Sequence, residues 1–248
     1  MRTSDGGIAR QIRRGLHVCL AAALLGHGAA AKAEGDETGA TASLTLASDY
    51  MLRGFSQSKG KPVVQGGAAY TTASSWTLGA WGSSVDFVDA GQPSDGAHVE
   101  LDLYVSRAWT LSEHVGFDAT LIRYVYPSTV PGVSYDYNEL ILAFHVTDII
   151  STTLIYSNDA FATQQPALLG EIAAQYPLPH GLELSGRLGY YDLEDAFGAR
   201  YSYYSVGLAK QLGKFTLAWR YDGADRAGRE LWGDDARGRM VLQLSADF

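Results

Sequence analysis

Hydrophobic and polar side chains alternate along most of this chain with a period of two. That spacing puts successive strand residues on opposite faces. The stretch over residues 98–108 is the cleanest, with Val99, Leu101, Leu103 and Val105 alternating with Glu100, Asp102, Tyr104 and Ser106. Val115, Phe117, Ala119 and Leu121 alternate with Gly116, Asp118 and Thr120. Leu140, Leu142, Phe144 and Val146 stand against Glu139, Ala143 and His145, and Leu182, Leu184, Leu188 and Tyr190 against Glu183, Ser185 and Arg187. Phe215, Leu217, Trp219 and Tyr221 stand against Thr216, Ala218 and Arg220.

Together with weaker segments over 63–71, 76–87, 151–157, 168–176 (which carries Glu171) and 202–208, the pattern predicts about twelve antiparallel strands. The first is expected over 42–53. Leu44, Leu46, Tyr50 and Leu52 would share one of its faces, and Thr45, Ala47, Asp49 and Arg53 the other. The last is expected over 240–248. Met240, Leu242, Leu244, Ala246 and Phe248 oppose Gln243, Ser245 and Asp247 there.

Proline and loop length agree with this parse. All seven prolines are expected between strands or at a strand start, because a proline inside a strand removes a ladder hydrogen bond. Expected connections alternate between short (72–75, 110–114, 147–150, 177–181, 212–214) and longer (54–61, 89–97, 127–134, 158–167, 193–200, 222–238). Short turns at one end and long loops at the other is the outer-membrane barrel pattern. Aromatics gather near the expected strand ends. Phe55, Tyr124, Tyr126, Tyr135, Tyr137, Tyr156, Tyr190, Tyr191, Tyr201, Tyr203 and Tyr221 lie toward the long loops; Trp76, Trp109, Tyr176, Phe215 and Phe248 lie toward the turns. Girdles at two membrane interfaces have this form.

The N-terminus reads as a cleaved signal peptide. Arg2, Arg10, Arg13 and Arg14 precede an apolar core over 16–25, and Ala31-Lys32-Ala33 is an A-x-A cleavage pattern. The expected organisation is a signal peptide over 1–33, a short lead-in over 34–41 and a barrel over 42–248. The only cysteine, Cys19, lies in the signal segment, so the exported chain has no disulfide framework. Removing residues 1–33 takes away five basic residues and one acidic residue, moving the net charge from -8 to -12. Such an acidic chain excludes nucleic acid as a partner and suits small cations or neutral solutes.

Alternation does not say which face is inside, and a soluble barrel or sandwich alternates with its apolar face inward. Export, charges in mid-strand and the terminal Phe248 favour lipid outside. The fold expected is therefore all-β, a transmembrane antiparallel up-and-down β-barrel. A terminal Phe on an alternating strand resembles the closing strand of bacterial outer-membrane barrels, which implies membrane lipid and the barrel-assembly machinery as partners. The candidate lumen lining is Asp49, Arg53, Asp86, Glu100, Asp102, Tyr104, Asp118, Glu139, Glu171, Arg187 and Arg220. These groups either select solutes by charge or cross-link the wall as ion pairs. Asp49, Arg53, Gln57, Asp86, Glu100 and Glu139 are expected in one cluster near the outer mouth. That cluster is either an eyelet or a network that folds the first loop inward. Arg123 breaks the parity of its strand and is expected to snorkel at the outer interface. Four histidines (His98, His114, His145, His180) stand without G-x-S-x-G or metal-ligand spacing, so no catalytic residue, metal or cofactor is assigned.

Several pieces together resemble a proteobacterial family of exported proteins, the TorF-like porins of otherwise unknown function. They are Ser48-Asp49-Tyr50 with Arg53-Gly54-Phe55-Ser56-Gln57-Ser58, Pro62-Val63-Val64-Gln65-Gly66-Gly67, and the run from Leu78 to Phe87. Glu100-Leu101-Asp102-Leu103-Tyr104, Tyr124-Val125-Tyr126-Pro127 and Tyr137-Asn138-Glu139-Leu140 complete the set. The resemblance implies an outer-membrane barrel without an assigned substrate. The function expected is passive passage of small solutes, weakly favouring cations. The alternatives are a non-conducting barrel with a lipid-modifying or structural role, and a soluble exported β protein.

Overall fold

The structure, a computed structural model, describes residues 38–87, 97–127, 134–147 and 149–248. The expected signal segment with Cys19, most of the expected loops at 89–97 and 127–134, and Pro93 and Pro131 lie outside the described residues.

Fourteen strands follow in order: β1 (Gly39–Ala47), β2 (Met51–Leu52), β3 (Phe55–Ser56), β4 (Val63–Thr71), β5 (Trp76–Ser84), β6 (Val99–Ser112), β7 (Val115–Val125), β8 (Tyr137–Val146), β9 (Ile150–Ser157), β10 (Ala167–Leu178), β11 (Leu182–Leu193), β12 (Ala199–Leu212), β13 (Phe215–Ala224) and β14 (Arg239–Asp247). All but β2 and β3 form one closed antiparallel barrel, each strand paired with its sequence neighbours. The ring closes where β1 pairs with β14, Thr45 opposite Ser245. At the end of that seam Ala42 and Phe248 exchange backbone hydrogen bonds of 3.0 and 2.9 Å. Closure leaves no unpaired strand edge, the condition for carrying strands through a bilayer. No described helix is long and apolar enough to cross a membrane.

The faces are sorted against the soluble alternative. Leu44, Leu103, Leu121, Leu188 and Leu242 are exposed on the outer wall, whereas Thr45, Glu100, Asp102, Thr120 and Gln243 are buried within. Inside, Thr45 donates to Ser245 Oγ at 2.9 Å, and Gln243 Nε2 reaches the same oxygen at 2.9 Å. A soluble barrel would hide its leucines. This one hides its amides and carboxyls, so the soluble reading is set aside.

Three expectations need correction. β1 starts at Gly39, inside the expected lead-in, and ends at Ala47 rather than continuing to Arg53. Pro177 lies within β10 instead of beside it. Its missing N–H is tolerated because Gln175 N, two residues earlier and pointing the same way, bonds Ile149 O at 2.8 Å. β9 begins pairing only at Ile150, so the proline ring faces no strand. Finally, most aromatics of the long-loop end do not form a girdle. Tyr156, Tyr190 and Tyr221 are exposed, but Phe55, Tyr124, Tyr126, Tyr137, Tyr191, Tyr201 and Tyr203 are buried inside. At the turn end Trp76, Tyr176, Phe215 and Phe248 are exposed on the outside.

Two short helices sit on the long-loop side: α1 (Glu194–Phe197), in the loop expected over 193–200, and α2 (Arg226–Trp232). Asp225 caps α2 by accepting from Gly228 N at 2.9 Å. α2 brings Trp232 over the mouth, where it stacks on Phe55 with ring centres 4.2 Å apart.

Candidate functional site

The segment after β1 leaves the wall and enters the lumen. Pairing with β14 stops at Ser48, whose N–H bonds Leu242 O at 2.9 Å and whose Oγ accepts from Leu242 N at 3.0 Å. Tyr50, Met51, Leu52 and Phe55 then pack inward and are buried. β2 and β3 form a hairpin with Met51 opposite Ser56. Its two turn residues, Arg53 (φ 51°) and Gly54 (φ 86°), are both left-handed, as a tight hairpin turn needs. At the base Gln57 N bonds Tyr50 O at 2.7 Å. One oxygen of Asp49 accepts from Ser56 Oγ at 2.5 Å and from Ser58 Oγ at 2.7 Å. Asp49 therefore ties the loop to itself and, through its other oxygen 3.7 Å from Arg239, to β14, instead of lining the wall. Asp86 holds the returning limb: its N–H bonds Gln57 O at 2.8 Å and its carboxylate meets Lys61.

Gly54 presses against β12 and β13. A Cβ there would lie 2.6 Å from Tyr203 Cβ and 2.9 Å from Gly223 O. With a positive φ as well, Gly54→Ala is expected to cost more than about 1 kcal/mol. Urea unfolding in detergent against wild type measures it; an unchanged midpoint would contradict this packing.

Arg53 is the tip of the hairpin and reaches across the lumen. Its two terminal nitrogens donate to the two carboxylate oxygens of Glu139 at 2.7 and 2.6 Å. It also donates to Tyr191 Oη at 3.1 Å and lies over that ring, 5.1 Å from its centre. Its carbonyl accepts from Tyr201 Oη at 3.1 Å. Glu139 takes a further bond from Tyr124 Oη at 3.0 Å. Beside this pair, Glu100 accepts from Tyr50 Oη at 2.6 Å and Tyr126 Oη at 2.7 Å. Asp102 is wholly buried, and neither of its oxygens receives a hydrogen bond from the described residues. Around the tip of the hairpin three buried carboxyl groups, Glu100, Asp102 and Glu139, thus stand against the one guanidinium of Arg53.

Elsewhere in the lumen the charges pair off. His145 Nε2 approaches Asp118 at 2.7 Å, without the alignment of a hydrogen bond. Glu171 accepts from Tyr203 Oη at 2.6 Å and lies 3.3 Å from Arg187. Arg220 lies 3.4 Å from Asp222. Tyr104 folds across Gly79, where any Cβ would overlap its ring. Arg123 faces outward on β7 with Asp136 at 3.1 Å. Among the described residues no group of three His, Cys, Asp or Glu side chains could hold a metal ion.

Of the six residues expected in one outer cluster, Asp49, Gln57 and Asp86 lie at the base of the loop, Arg53 and Glu139 meet at its tip, and Glu100 holds Tyr50; the tyrosines that bind them were not among the candidates. Parity carried the signal. Tyr124 and Tyr126 share the register of Asp118 and Thr120, and Tyr137 that of Glu139. The sequence places these rings in an interface girdle by their nearness to strand ends, although a hydroxyl at the ring tip also suits a polar lumen.

A family model described as a bacterial protein of unknown function, Gcw_chp, matches residues 30–243. No curated protein matches the sequence. Among solved structures the KdgM porin superposes with a TM-score of 0.50 at 10% identity, covering 84% of this chain and 98% of that one. The NanC porin gives 0.53 at 9% identity over 84% and 98%. The COG4313 outer membrane channel from Pseudomonas putida F1 gives 0.51 at 11% identity over 87% and 98%. At these identities the likeness is one of fold: a closed barrel of the outer-membrane type, here with leucines outside and charges within.

Proposed function

The chain belongs to the Gcw_chp family, and we propose that this outer-membrane barrel is a porin-like channel whose first outer loop narrows the lumen. The observation that carries the reading is the hairpin over residues 51–56. It stands inside a polar lumen and is held there by side chains from β8, β11 and β12, with Glu100 of β6 holding Tyr50 just before it. An inward loop that leaves a hydrophilic wall around it is a selectivity element in form. A barrel serving only as a structural anchor has no need of a buried guanidinium bonded to two sides of its interior.

Small solutes fit a ring of about twelve strands, which lies between the filled eight-stranded barrels and the open sixteen-stranded ones. KdgM has been solved in complex with disordered oligogalacturonate, so a barrel of this fold accommodates an extended solute. For this chain we infer a weak cation preference, since Glu100, Asp102 and Glu139 outnumber Arg53 around the hairpin tip, while the other lumen pairs nearly cancel. Kinship with the TorF-like porins, removal of residues 1–33 on export and delivery by the barrel-assembly machinery through Met240, Leu242, Leu244 and Phe248 belong to the same proposal. So does the absence of an enzymatic role.

Two measurements test it. Liposomes carrying the purified barrel are expected to admit small neutral sugars and to exclude long oligosaccharides. Reversal potentials in a potassium chloride gradient are expected on the cation side, moving toward zero in Asp102→Asn and Glu100→Gln. Liposomes as tight as protein-free ones would overturn the channel; an anion-side reversal potential would overturn the preference.

A further inference from the structure

We propose that Arg107, held between Trp76 and Trp109, binds the phosphate of a phospholipid in the periplasmic leaflet of the membrane. Arg107 stands on the outer wall. It is opposite Trp76 on β5 and Ala119 on β7, one residue from Ser106, which faces the lumen and is buried. Its guanidinium carbon lies 5.3 Å from the Trp76 ring centre and 5.0 Å from that of Trp109. Its Nε is buried without a hydrogen bond, and no described carboxylate pairs with it. The contrast is Arg123, also outward, which has Asp136 beside it.

A bare cation on a lipid-facing wall is costly, so it needs an anion or the water interface. Its level in the wall supplies the candidate. Trp76 opens β5 just after the turn at 72–75, and Trp109 lies near the end of β6. That is the short-turn, periplasmic end of the barrel, where the headgroups of the inner leaflet sit. Indole faces hold a guanidinium by cation–π attraction and fix its plane. A fixed, planar fork is what recognises phosphate oxygens in pairs. The aromatic row continues around the wall from Trp109 to Phe117 at 5.3 Å and on to Phe144 at 4.7 Å, on the turn side of Arg107, while the exposed Leu78, Leu103 and Leu121, farther from the turns, offer an apolar bed for the acyl chains.

The site depends on the orientation of the barrel in the membrane and not on conduction, so a silent channel would leave it standing. The test is native mass spectrometry of the full purified barrel with phosphatidylglycerol and, as a control lacking phosphate, diacylglycerol. Wild type is expected to retain phosphatidylglycerol and release diacylglycerol. Retention should fall by about tenfold in Arg107→Gln, the equivalent of one lost charge-assisted hydrogen bond. It should fall less in Arg107→Lys, and not at all in Arg123→Gln. Heat-modifiable mobility in gels reports folding of each variant; if Arg107→Gln does not fold, Trp76→Leu with Trp109→Leu replaces it and is expected to lose the lipid. Equal retention in the folded variants, equal retention of diacylglycerol, or displacement of the lipid by inorganic phosphate at matched concentration would each overturn the proposal.

Discussion

Arg53→Ala is expected to raise single-channel conductance and to release residues 49–58 from the lumen. The side chain it removes makes both bonds to Glu139 and one to Tyr191, all in buried surroundings. Losing it leaves the Glu139 carboxylate buried without its counter-charge, and breaking a buried pair from one side typically costs about 3–5 kcal/mol. The barrel wall has its own closed hydrogen-bond ladder, so the cost is expected to fall on the hairpin, which is held mainly by side chains. The hairpin then leaves, and the lumen widens where it stood. Removing both charges in an Arg53→Ala, Glu139→Ala double variant should restore part of the stability, because no orphaned carboxylate remains. Asp49→Ala should act in the same direction but more weakly, since it loosens the base of the loop and leaves the tip bonded. The readouts are single-channel conductance and protease access to the loop, on protein whose heat-modifiable mobility shows an intact barrel. Unchanged conductance in both Arg53→Ala and Asp49→Ala would sink the role of the loop as a constriction.

Leu188→Arg is expected to cost about 2–4 kcal/mol when the barrel folds into lipid vesicles, the usual penalty for a cation near the middle of the lipid-facing surface. Leu188 sits mid-strand on β11 and is 63% exposed on the outer wall. Its neighbour Arg187 already carries a guanidinium in the lumen beside Glu171, so the strand tolerates this charge on one face. Glu183→Arg, on the lumen face of the same strand, should change stability by less than about 1 kcal/mol. In detergent or in a soluble protein the two substitutions would differ little. The difference between them in vesicles therefore reads the orientation of the wall. Equal costs would contradict lipid at the outer face.

The wall was legible in the sequence because each strand repeats one simple demand, apolar outside and polar inside. β14 is the clearest case. Met240, Leu242 and Leu244 face out, Gln243 and Ser245 face in, and Phe248 meets Ala42 where the ring closes. The loop was less legible because Tyr50 and Leu52 keep the alternation going after the wall has ended. Period-two spacing cannot tell a strand that stays in the wall from one that turns inward. Arg53-Gly54 was the available sign, since Gly54 suits a left-handed turn. The inward tyrosines were obscured for a different reason: a tyrosine serves a lipid interface and a hydrogen-bonded interior equally well, and only its parity separates the two. Pairings such as Arg53 with Glu139, 86 residues apart, depend on how far the hairpin reaches across the ring. No local pattern encodes that distance.

If this barrel conducts through a lumen narrowed by its first outer loop, planar-bilayer recording of the purified wild-type protein will show it. The expected result is discrete current steps of uniform size, with a reversal potential on the cation side and larger steps in Arg53→Ala. A folded barrel that inserts and yet gives no steps, in wild type and in Arg53→Ala alike, would contradict it.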